Sequence, residues 1–236
     1  MWVEILSKPD ATLLATLPPF RKLDSAQIGE ILDLATSGVV EAGRPVFEEG
    51  MEADRFYLLL DGHIRVLRIT PDGDQVIVLH IASGQLFGIA VALGHTQYPA
   101  TAMAADACLS LSWPNRHWQD FVTQYEGFAT ETYKVVGQRI GEINDQMVAM
   151  ATQQVEQRIA RALLRLINQT GRKVEAGIEI DFPITRQDIA EMTGTTLHTV
   201  SRLLSAWERD GLVASARRKI TVTEPHRLVL LSGVEA

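Results

Sequence analysis

The first half of the chain repeats its apolar residues with a period close to two. From Val39 onward, short β-rich runs are separated by turns such as Asp61-Gly62 and the sequence PDGD at 71–74, which are typical of hairpins. Short strands at a spacing of about 8–12 residues predict a small antiparallel barrel or double-sheet roll. Residues 1–36 precede these strands and are predicted to form helices and loops. We therefore expect a β-roll domain over residues 1–125.

After Pro114 the apolar period becomes helical, and it continues as a heptad seam over three repeats. The seam consists of Ala129, Tyr133, Val136, Ile140, Ile143, Met147 and Met150. This pattern predicts a dimerisation helix over residues 126–152, and the alternative is a helix that packs only on its own β-roll. Gly137 and Gly141 weaken such a helix by about 1 kcal/mol each relative to alanine, but they allow a partner helix to approach closely.

Residues 185–210, TRQDIAEMTGTTLHTVSRLLSAWERD, predict two short helices joined by a glycine turn. Thr185 is expected to cap the first helix, Gly194 to end it in the left-handed conformation, and Thr196 to cap the second helix. The buried side of the second helix is predicted to be Val200, Leu203 and Leu204. This spacing is typical of a helix-turn-helix.

The second of these helices carries an exposed polar face. His198, Ser201 and Arg202 stand at positions i, i+3 and i+4, so they share one side of the helix. Their imidazole, hydroxyl and guanidinium groups can all bond base edges, and arginine bound to guanine is the commonest specific contact in a major groove. A merely solvated face is the alternative. The predicted DNA-binding residues are Arg186, Thr196, His198, Thr199, Ser201, Arg202, Arg217, Arg218 and Lys219.

The distribution of charge agrees with a DNA-binding C-terminal part. The formal net charge of the chain is −7, but residues 1–153 hold 10 Lys and Arg against 19 Asp and Glu (−9), whereas residues 154–236 hold 12 against 10 (+2). Three of these cations lie in the turn of LVASARRKITV, which predicts a β-wing that contacts phosphates. We therefore expect a winged helix-turn-helix DNA-binding domain over residues 153–236.

Composition excludes several other classes of protein. The 236 residues, of which 46% are hydrophobic, suffice for two domains. The single cysteine, Cys108, excludes an internal disulfide and a four-cysteine iron–sulfur cluster. The N-terminus lacks a signal-peptide pattern and no apolar run reaches about 18 residues, so a cytoplasmic protein without a membrane partner is expected. An enzyme is the least favoured class, because no G-x-S-x-G, H-E-x-x-H or P-loop is present.

In its order of parts the chain resembles the Crp–Fnr superfamily of bacterial transcription regulators over nearly its whole length. FEEGMEADRFYLLLDGHIRVLR (47–68) resembles the family's roll, and RQDIAEMTGTTLHTVSRLLSAWERDGLV (186–213) resembles its DNA module. The resemblance implies an α+β fold with an N-terminal antiparallel, cyclic-nucleotide-binding-like β-roll that acts as sensor, a long dimerisation helix and a C-terminal winged helix-turn-helix. It also implies a homodimer, a palindromic operator with TTG-type half-sites, and RNA polymerase as a partner. The family commonly reads Glu-x-x-Ser-Arg where this chain has His198, Ser201 and Arg202.

The residues that would hold an effector depart from the cyclic-nucleotide members of this family. Those members carry Gly-Glu in the roll and Arg-Ser further along, whereas this chain has Gly88-Ile89 and Pro99-Ala100. A buried cyclic phosphate without the arginine would lack its countercharge, so cyclic AMP is not expected as a ligand.

A narrower resemblance is to the nitric-oxide-responsive NnrR/Dnr-like regulators of denitrification, some of which carry His-x-x-Ser-Arg. This resemblance implies haem as the receptor for nitric oxide. The candidate cofactor-binding residues are His63, His80 and His95, and the further candidate axial ligands are His117, Met103 and Cys108. A lone histidine is more often a surface or core residue than a ligand, and no C-x-x-C-H haem motif is present. A different small molecule, such as 2-oxoglutarate in some relatives, is the alternative effector.

Overall fold

The computed structural model of the chain describes residues 3–5 and 10–233. Most of residues 1–9, where the sequence lacks a signal-peptide pattern, lie outside this range. The chain forms two compact units. One comprises Met1–Arg68 and Leu79–Glu142, and the other comprises Ile69–Val78 and Ile143–Ala236. None of the helices in the described part is long and apolar enough to cross a membrane.

The N-terminal half contains two antiparallel β-sheets, as the period of two predicts. Their strands are β1 (Val3–Ile5), β2 (Thr36–Val40), β3 (Pro45–Phe47), β4 (Arg55–Asp61), β5 (Ile64–Ile69), β6 (Gln75–Ile81), β7 (Leu86–Phe87), β8 (Thr101–Ala104) and β9 (Cys108–Pro114). One sheet has the order β1-β2-β9-β4-β7 and the other has the order β3-β8-β5-β6. The double-sheet roll expected from the sequence is therefore confirmed.

Helices cover one sheet of the roll and share a core with it. They are α1 (Ala11–Ala15), α2 (Ser25–Asp33), α3 (Trp118–Gln124) and the long α4 (Glu126–Thr152). The core contains stacked and edge-on aromatic rings, among them Phe56 and Trp113 with ring centroids 5.3 Å apart. The indole of Trp113 donates a hydrogen bond to the carbonyl of Ile31 on α2 at 2.8 Å, so its polar edge is satisfied inside this core.

The C-terminal elements form a helical head with a small sheet. They are α5 (Val155–Thr170), β10 (Gly171–Val174), β11 (Gly177–Ile180), α6 (Arg186–Thr193), α7 (Leu197–Arg209), β12 (Val213–Ala216), β13 (Lys219–Val222) and α8 (Pro225–Leu231). The sheet has the order β10-β11-β13-β12. Ile159, Leu163 and Leu166 lie at helical spacing on the buried face of α5, which anchors the head.

The long helix α4 covers the predicted dimerisation segment, and two half-buried residues of the predicted seam also pack within the chain. Val136 packs against the aromatic core of the roll. Met150 lies against the turn of the head, where a Cβ added at Gly194 would come within 3.0 Å of the Met150 Sδ. Both side chains therefore serve the chain's own packing. The periodicity could not reveal this, because residues that pack within the chain and residues that face a partner show the same spacing.

Candidate nucleic-acid interface

Local capping interactions build the helix-turn-helix as the sequence predicts. At the start of α6, the Thr185 hydroxyl accepts a hydrogen bond from the Asp188 amide at 3.1 Å, and the Asp188 carboxylate accepts one from the Thr185 amide at 2.7 Å. Gly194 ends the helix with φ at 58°, a left-handed conformation that glycine adopts without steric cost. The Thr196 hydroxyl then accepts from the Thr199 amide at 3.2 Å and caps α7.

The buried face of α7 is Val200, Leu204 and Trp207, at positions i, i+4 and i+7. Leu203, which the sequence places in the buried set, is only half-buried. Trp207 takes its place in the core, and its indole donates a hydrogen bond to Glu156 at the start of α5 at 3.3 Å. The burial of Trp207 could have been predicted from the spacing of the apolar residues, because Trp207 lies one turn beyond Leu204 on the same side of the helix.

The outer face of α7 presents the predicted base-reading residues. His198 and Arg202 are exposed, and Ser201 and Thr199 are half-buried beside them. Within the part of the chain that the structure describes, the side chains of His198 and Arg202 make no hydrogen bond or ion pair. Both groups are therefore available to an external partner.

Arg186 differs from these residues, although the sequence groups it with them. Its guanidinium donates to the Glu208 carboxylate at 3.0 Å and to the Ser205 hydroxyl at 3.3 Å. The ion pair is about one-third exposed and ties the first turn of α6 to the last turns of α7. Arg186 therefore links the two helices of the helix-turn-helix, which is a contact that the sequence did not reveal.

The wing is a two-residue hairpin between β12 and β13, with Arg217 and Arg218 at its tip. Arg218 has φ at 59°, and no other non-glycine residue of the described ranges has a positive φ. Its carbonyl accepts a hydrogen bond from the Ile184 amide at 3.0 Å, which holds the tip against the segment before α6. Both tip side chains are exposed, so two cations project from the wing.

The third predicted wing cation, Lys219, is partly engaged within the sheet. Its ammonium group lies 3.3 Å from the Glu179 carboxylate, which also accepts a hydrogen bond from Arg172 at 2.7 Å. Burial alone would raise the pKa of Glu179, but the hydrogen bonds from Arg172 and Lys219 outweigh it and lower that pKa. Lys219 therefore has an internal partner that Arg217 lacks.

An apolar stripe runs along the exposed side of α4. Tyr133, Ile140 and Met147 are 53%, 53% and 64% exposed, and they follow one another at intervals of seven residues. Gly137 and Asn144, both exposed, alternate with them at steps of four and three, which is a heptad pattern. Ile143 from the predicted seam is also exposed and borders this stripe.

Aromatic side chains fill the interior of the roll beside Gly88. In the cyclic-nucleotide members of the Crp–Fnr superfamily, the corresponding glycine belongs to the Gly-Glu pair that holds the ligand. A Cβ added at Gly88 would come within 2.8 Å of the Tyr57 ring and 3.0 Å of the Phe47 ring. Tyr98 stacks on Phe47 and donates its hydroxyl hydrogen to the carbonyl of Arg55 at 2.6 Å. Burial raises the pKa of Tyr98, so this hydroxyl keeps its proton.

The candidate effector ligands are dispersed rather than gathered into one centre. His63 is half-buried, and its Nδ1 lies 3.0 Å from the Asp106 carboxylate. His80 is half-buried on β6, whereas His95 is exposed. Cys108 is buried, and burial raises the pKa of its thiol to about 12. Among the described residues, no three His, Cys, Asp or Glu side chains are arranged to hold a metal ion.

The other two candidates are also parts of the protein's own packing. Met103 is half-buried on β8, and His117 is half-buried with its ring centroid 6.4 Å from that of Phe121.

A β-roll, a long helix with an exposed apolar stripe and a winged helix-turn-helix with an unpaired arginine define a class of DNA-binding regulator. Two family models match the chain, the cyclic nucleotide-binding domain over residues 38–125 and the Crp-like helix-turn-helix domain over residues 157–231. Together they match more than half of the chain, which belongs to the Crp–Fnr superfamily of DNA-binding transcriptional regulators. The similar proteins are regulators and not enzymes.

Relatives and solved structures of this superfamily align with most of the chain. The nitrogen fixation regulation protein FixK of Bradyrhizobium diazoefficiens is 27% identical over 216 residues, which cover 89% of this chain and 88% of FixK. The fumarate and nitrate reduction regulatory protein of Escherichia coli is 24% identical and covers 82% of this chain and 77% of its own length. The structure of FixK2 from Bradyrhizobium japonicum has the same fold, with a TM-score of 0.76, 22% identity, and coverage of 86% of this chain and 99% of FixK2.

Proposed function

We propose that the chain works as a homodimer that reads a palindromic operator through α7. The observation that carries this proposal is the state of Arg202. Its guanidinium is exposed on the outer face of the recognition helix and has no partner among the described residues, whereas Arg186 is held by Glu208. An exposed arginine at this place suits a bidentate contact to guanine O6 and N7, as in a TTG-type half-site with its CAA complement.

His198 and Ser201 complete the proposed reading face. His198 lies one turn before Arg202 and can accept or donate a hydrogen bond, so it does not demand a cytosine amine as a glutamate would. Ser201 can bond a neighbouring base, while Arg217 and Arg218 in the wing contact phosphates on either side. Thr196 and Thr199 lie at the N-terminal end of α7, where they suit contacts with the DNA backbone.

The exposed apolar stripe of Tyr133, Ile140 and Met147 supports the dimeric part of this proposal. Two copies of a helix-turn-helix bind half-sites about 34–36 Å apart, so the heads need a common axis. The heptad spacing on α4 and its two exposed glycines suit the close approach of two such helices. RNA polymerase is the further partner we propose for the DNA-bound dimer.

Selection of bound sequences from random duplex DNA tests the DNA-binding proposal. The expected product is an inverted repeat with TTG at the outer end of each half-site. A selected site without two-fold symmetry would contradict binding of the operator by a dimer. A pool that shows no sequence preference would contradict the recognition of bases by α7.

As signal, we propose nitric oxide bound through a haem, with a different effector such as 2-oxoglutarate as the alternative. The interior of the roll does not fit a haem, because Phe47, Tyr57 and Tyr98 fill it together with Phe87. A haem would have to bind at the outside of the roll, where His95 is exposed. His63 would have to ligate through Nε2 or give up its contact with Asp106.

Absorbance spectra of the purified chain titrated with haem, before and after addition of nitric oxide, separate these effectors. A saturable spectrum that shifts with nitric oxide and is lost in His95→Ala or His63→Ala supports haem. A chain that takes up no haem, and whose operator affinity instead responds to 2-oxoglutarate, supports the alternative.

A further inference from the structure

Asn144 lies in the middle of the exposed apolar stripe on α4. It follows Ile140 by four residues and precedes Met147 by three, and all three side chains are exposed. At about 100° per residue, Asn144 lies within about 60° of both neighbours around the helix axis. In the heptad pattern, Tyr133, Ile140 and Met147 take the d positions, and Gly137 and Asn144 take the a positions.

The side chain of Asn144 differs in kind from the rest of this seam. The a and d positions nearest to it hold Gly137, Ile140, Met147 and Ala151, which have no polar side-chain group. Within the part of the chain that the structure describes, the Asn144 amide makes no hydrogen bond or ion pair. A polar group with an unused donor and acceptor therefore interrupts an apolar surface.

An identical asparagine is a complementary partner for this amide. The side-chain amide of asparagine has an N–H group that donates and a carbonyl oxygen that accepts, so two copies of it can hydrogen-bond to each other. A two-fold axis brings each residue of a self-complementary patch opposite its counterpart. If a helix packed on the stripe with an apolar residue opposite Asn144, the amide would be buried without a partner, at a cost in binding free energy.

We propose that Asn144 pairs with the same asparagine of a second copy, and that this pair sets the register of a parallel, two-stranded coiled coil. The inference rests on the homodimer proposed above and adds the residue that selects its arrangement. A single asparagine at an a position has this effect in coiled coils, where it lowers stability but specifies register and the number of strands.

Other arrangements of two α4 helices leave the amide unpaired. In an antiparallel pair the a positions face d positions, so Asn144 would lie against Ile140 or Met147 of the second copy. In a parallel pair that slips by one heptad, Asn144 would lie opposite Gly137 or Ala151. Because none of these residues offers a polar side chain, the pairing of Asn144 favours the in-register parallel dimer.

The register of α4 matters for DNA binding because the head follows this helix in the chain. A slip of seven residues displaces one copy along the other by about 10 Å, at 1.5 Å per residue. Such a dimer would lose the two-fold symmetry that matches two half-sites one helical turn apart. Asn144 is therefore a positioning residue, which makes no contact with DNA itself.

Sedimentation equilibrium of the full chain tests the effect of Asn144 on association. Asn144→Ile replaces the amide pair by apolar contacts, so it should lower the dissociation constant of the dimer by about tenfold or more and add species larger than a dimer. Such tightening could not come from a variant that fails to fold. Gln138→Ile is the matched control, because it adds the same side chain at an exposed position of α4 away from the stripe. We expect this control to associate like the wild-type chain.

Distances between spin labels test the register directly. A nitroxide can be attached through Thr152→Cys, at an exposed position near the end of α4, in a chain that also carries Cys108→Ser. Double electron–electron resonance should then give one narrow distance distribution for the dimer with Asn144. The same label in the Asn144→Ile background should give at least one further distance, from slipped or antiparallel pairs.

The outcomes separate the role of Asn144 from the existence of the dimer. A wild-type chain that stays monomeric would contradict the proposed homodimer and the asparagine pair together. If the wild-type chain dimerises but Asn144→Ile keeps its dissociation constant and its single distance, the homodimer stands and the role of Asn144 is overturned. Weaker association of Asn144→Ile would overturn that role as well.

Discussion

The rings of Phe47 and Tyr98 stack inside the β-roll with centroids 3.7 Å apart and an interplanar angle of 14°. Tyr57 and Phe87 extend this stack across the roll. In this chain the interior next to Gly88 is thus occupied by the protein's own side chains. A ligand that enters from this side must displace aromatic rings, which raises the free energy of binding.

Gly88→Ala tests how rigid this packing is. Both Gly88 and Gly94 have a positive φ, so alanine at either position should cost about 1–2 kcal/mol of stability through backbone strain. Only at Gly88 does the added methyl group meet packed rings, whereas nothing lies within 4 Å at Gly94. We expect Gly88→Ala to lose a further 1–3 kcal/mol or so in urea unfolding. Equal losses of stability in Gly88→Ala and Gly94→Ala would show that the rings of Phe47 and Tyr57 move aside easily.

Acid should destabilise the N-terminal unit through Glu131. This nearly buried carboxylate contacts Arg21, Lys22 and Lys134, and the hydrogen bonds from Arg21 and then Lys134 lower its pKa from 4.5 to about 2. Because the folded-state pKa is the lower one, this contribution is complete above about 4.5 and is lost as the pH falls towards 2. Glu131→Gln should remove that part of the pH dependence, as measured by thermal unfolding of both proteins across this range. Parallel curves for the two would contradict the assignment.

Ile140→Asp should convert the proposed dimer to a monomer. The substitution would bury a carboxylate where two α4 helices meet, at a cost of several kcal/mol. Gln138→Asp is the matched control, because it adds a carboxylate on the same helix but away from the stripe. Sedimentation velocity should show a monomer for the first variant and a dimer for the second. A persistent Ile140→Asp dimer would place the interface elsewhere.

Substitution by glycine should have different effects on the stability of the protein at the two arginines of the wing tip. Arg218→Gly relieves a left-handed residue and should leave stability unchanged or raise it by up to about 1 kcal/mol, whereas Arg217→Gly should lower it by about 0.5–1 kcal/mol. Each variant removes one of the phosphate contacts that we propose, so both should weaken binding to all sequences and reduce the salt slope by about 1. Urea unfolding and anisotropy titrations at several salt concentrations measure the two effects, and equal stability losses would contradict the role of the Arg218 backbone.

The helix-turn-helix was predictable because its signals are local. Thr185, Gly194 and Thr196 act on amides or dihedral angles within a few residues, so their spacing specifies the turn before any tertiary contact is known. The alternation of apolar and polar residues along the strands of the roll, and the glycines in its turns, are local signals in the same sense.

Contacts between distant segments could not be predicted in this way. Arg186 meets Glu208 and Lys219 meets Glu179 only after the head has folded, so the sequence presented all the basic residues as equally available. The same limit applies to Val136, whose helical spacing does not reveal whether it faces the roll or a partner. The stacking of Phe47 on Tyr98 likewise joins residues from distant parts of the roll.

We propose that Arg202 reads a guanine in each half-site, and a comparison of three proteins on two operators is the sharpest test of this contact. Anisotropy titrations would compare wild type, Arg202→Ala and Arg209→Ala on the selected operator and on an operator altered at that guanine. Arg209 is the control, because it is an exposed arginine on the same helix whose guanidinium is held by the Ser205 carbonyl. We expect Arg202→Ala to lose about 1–3 kcal/mol per half-site on the intact operator and little on the altered one. Equal losses of affinity on both operators would make Arg202 a phosphate contact and would contradict the proposed reading face.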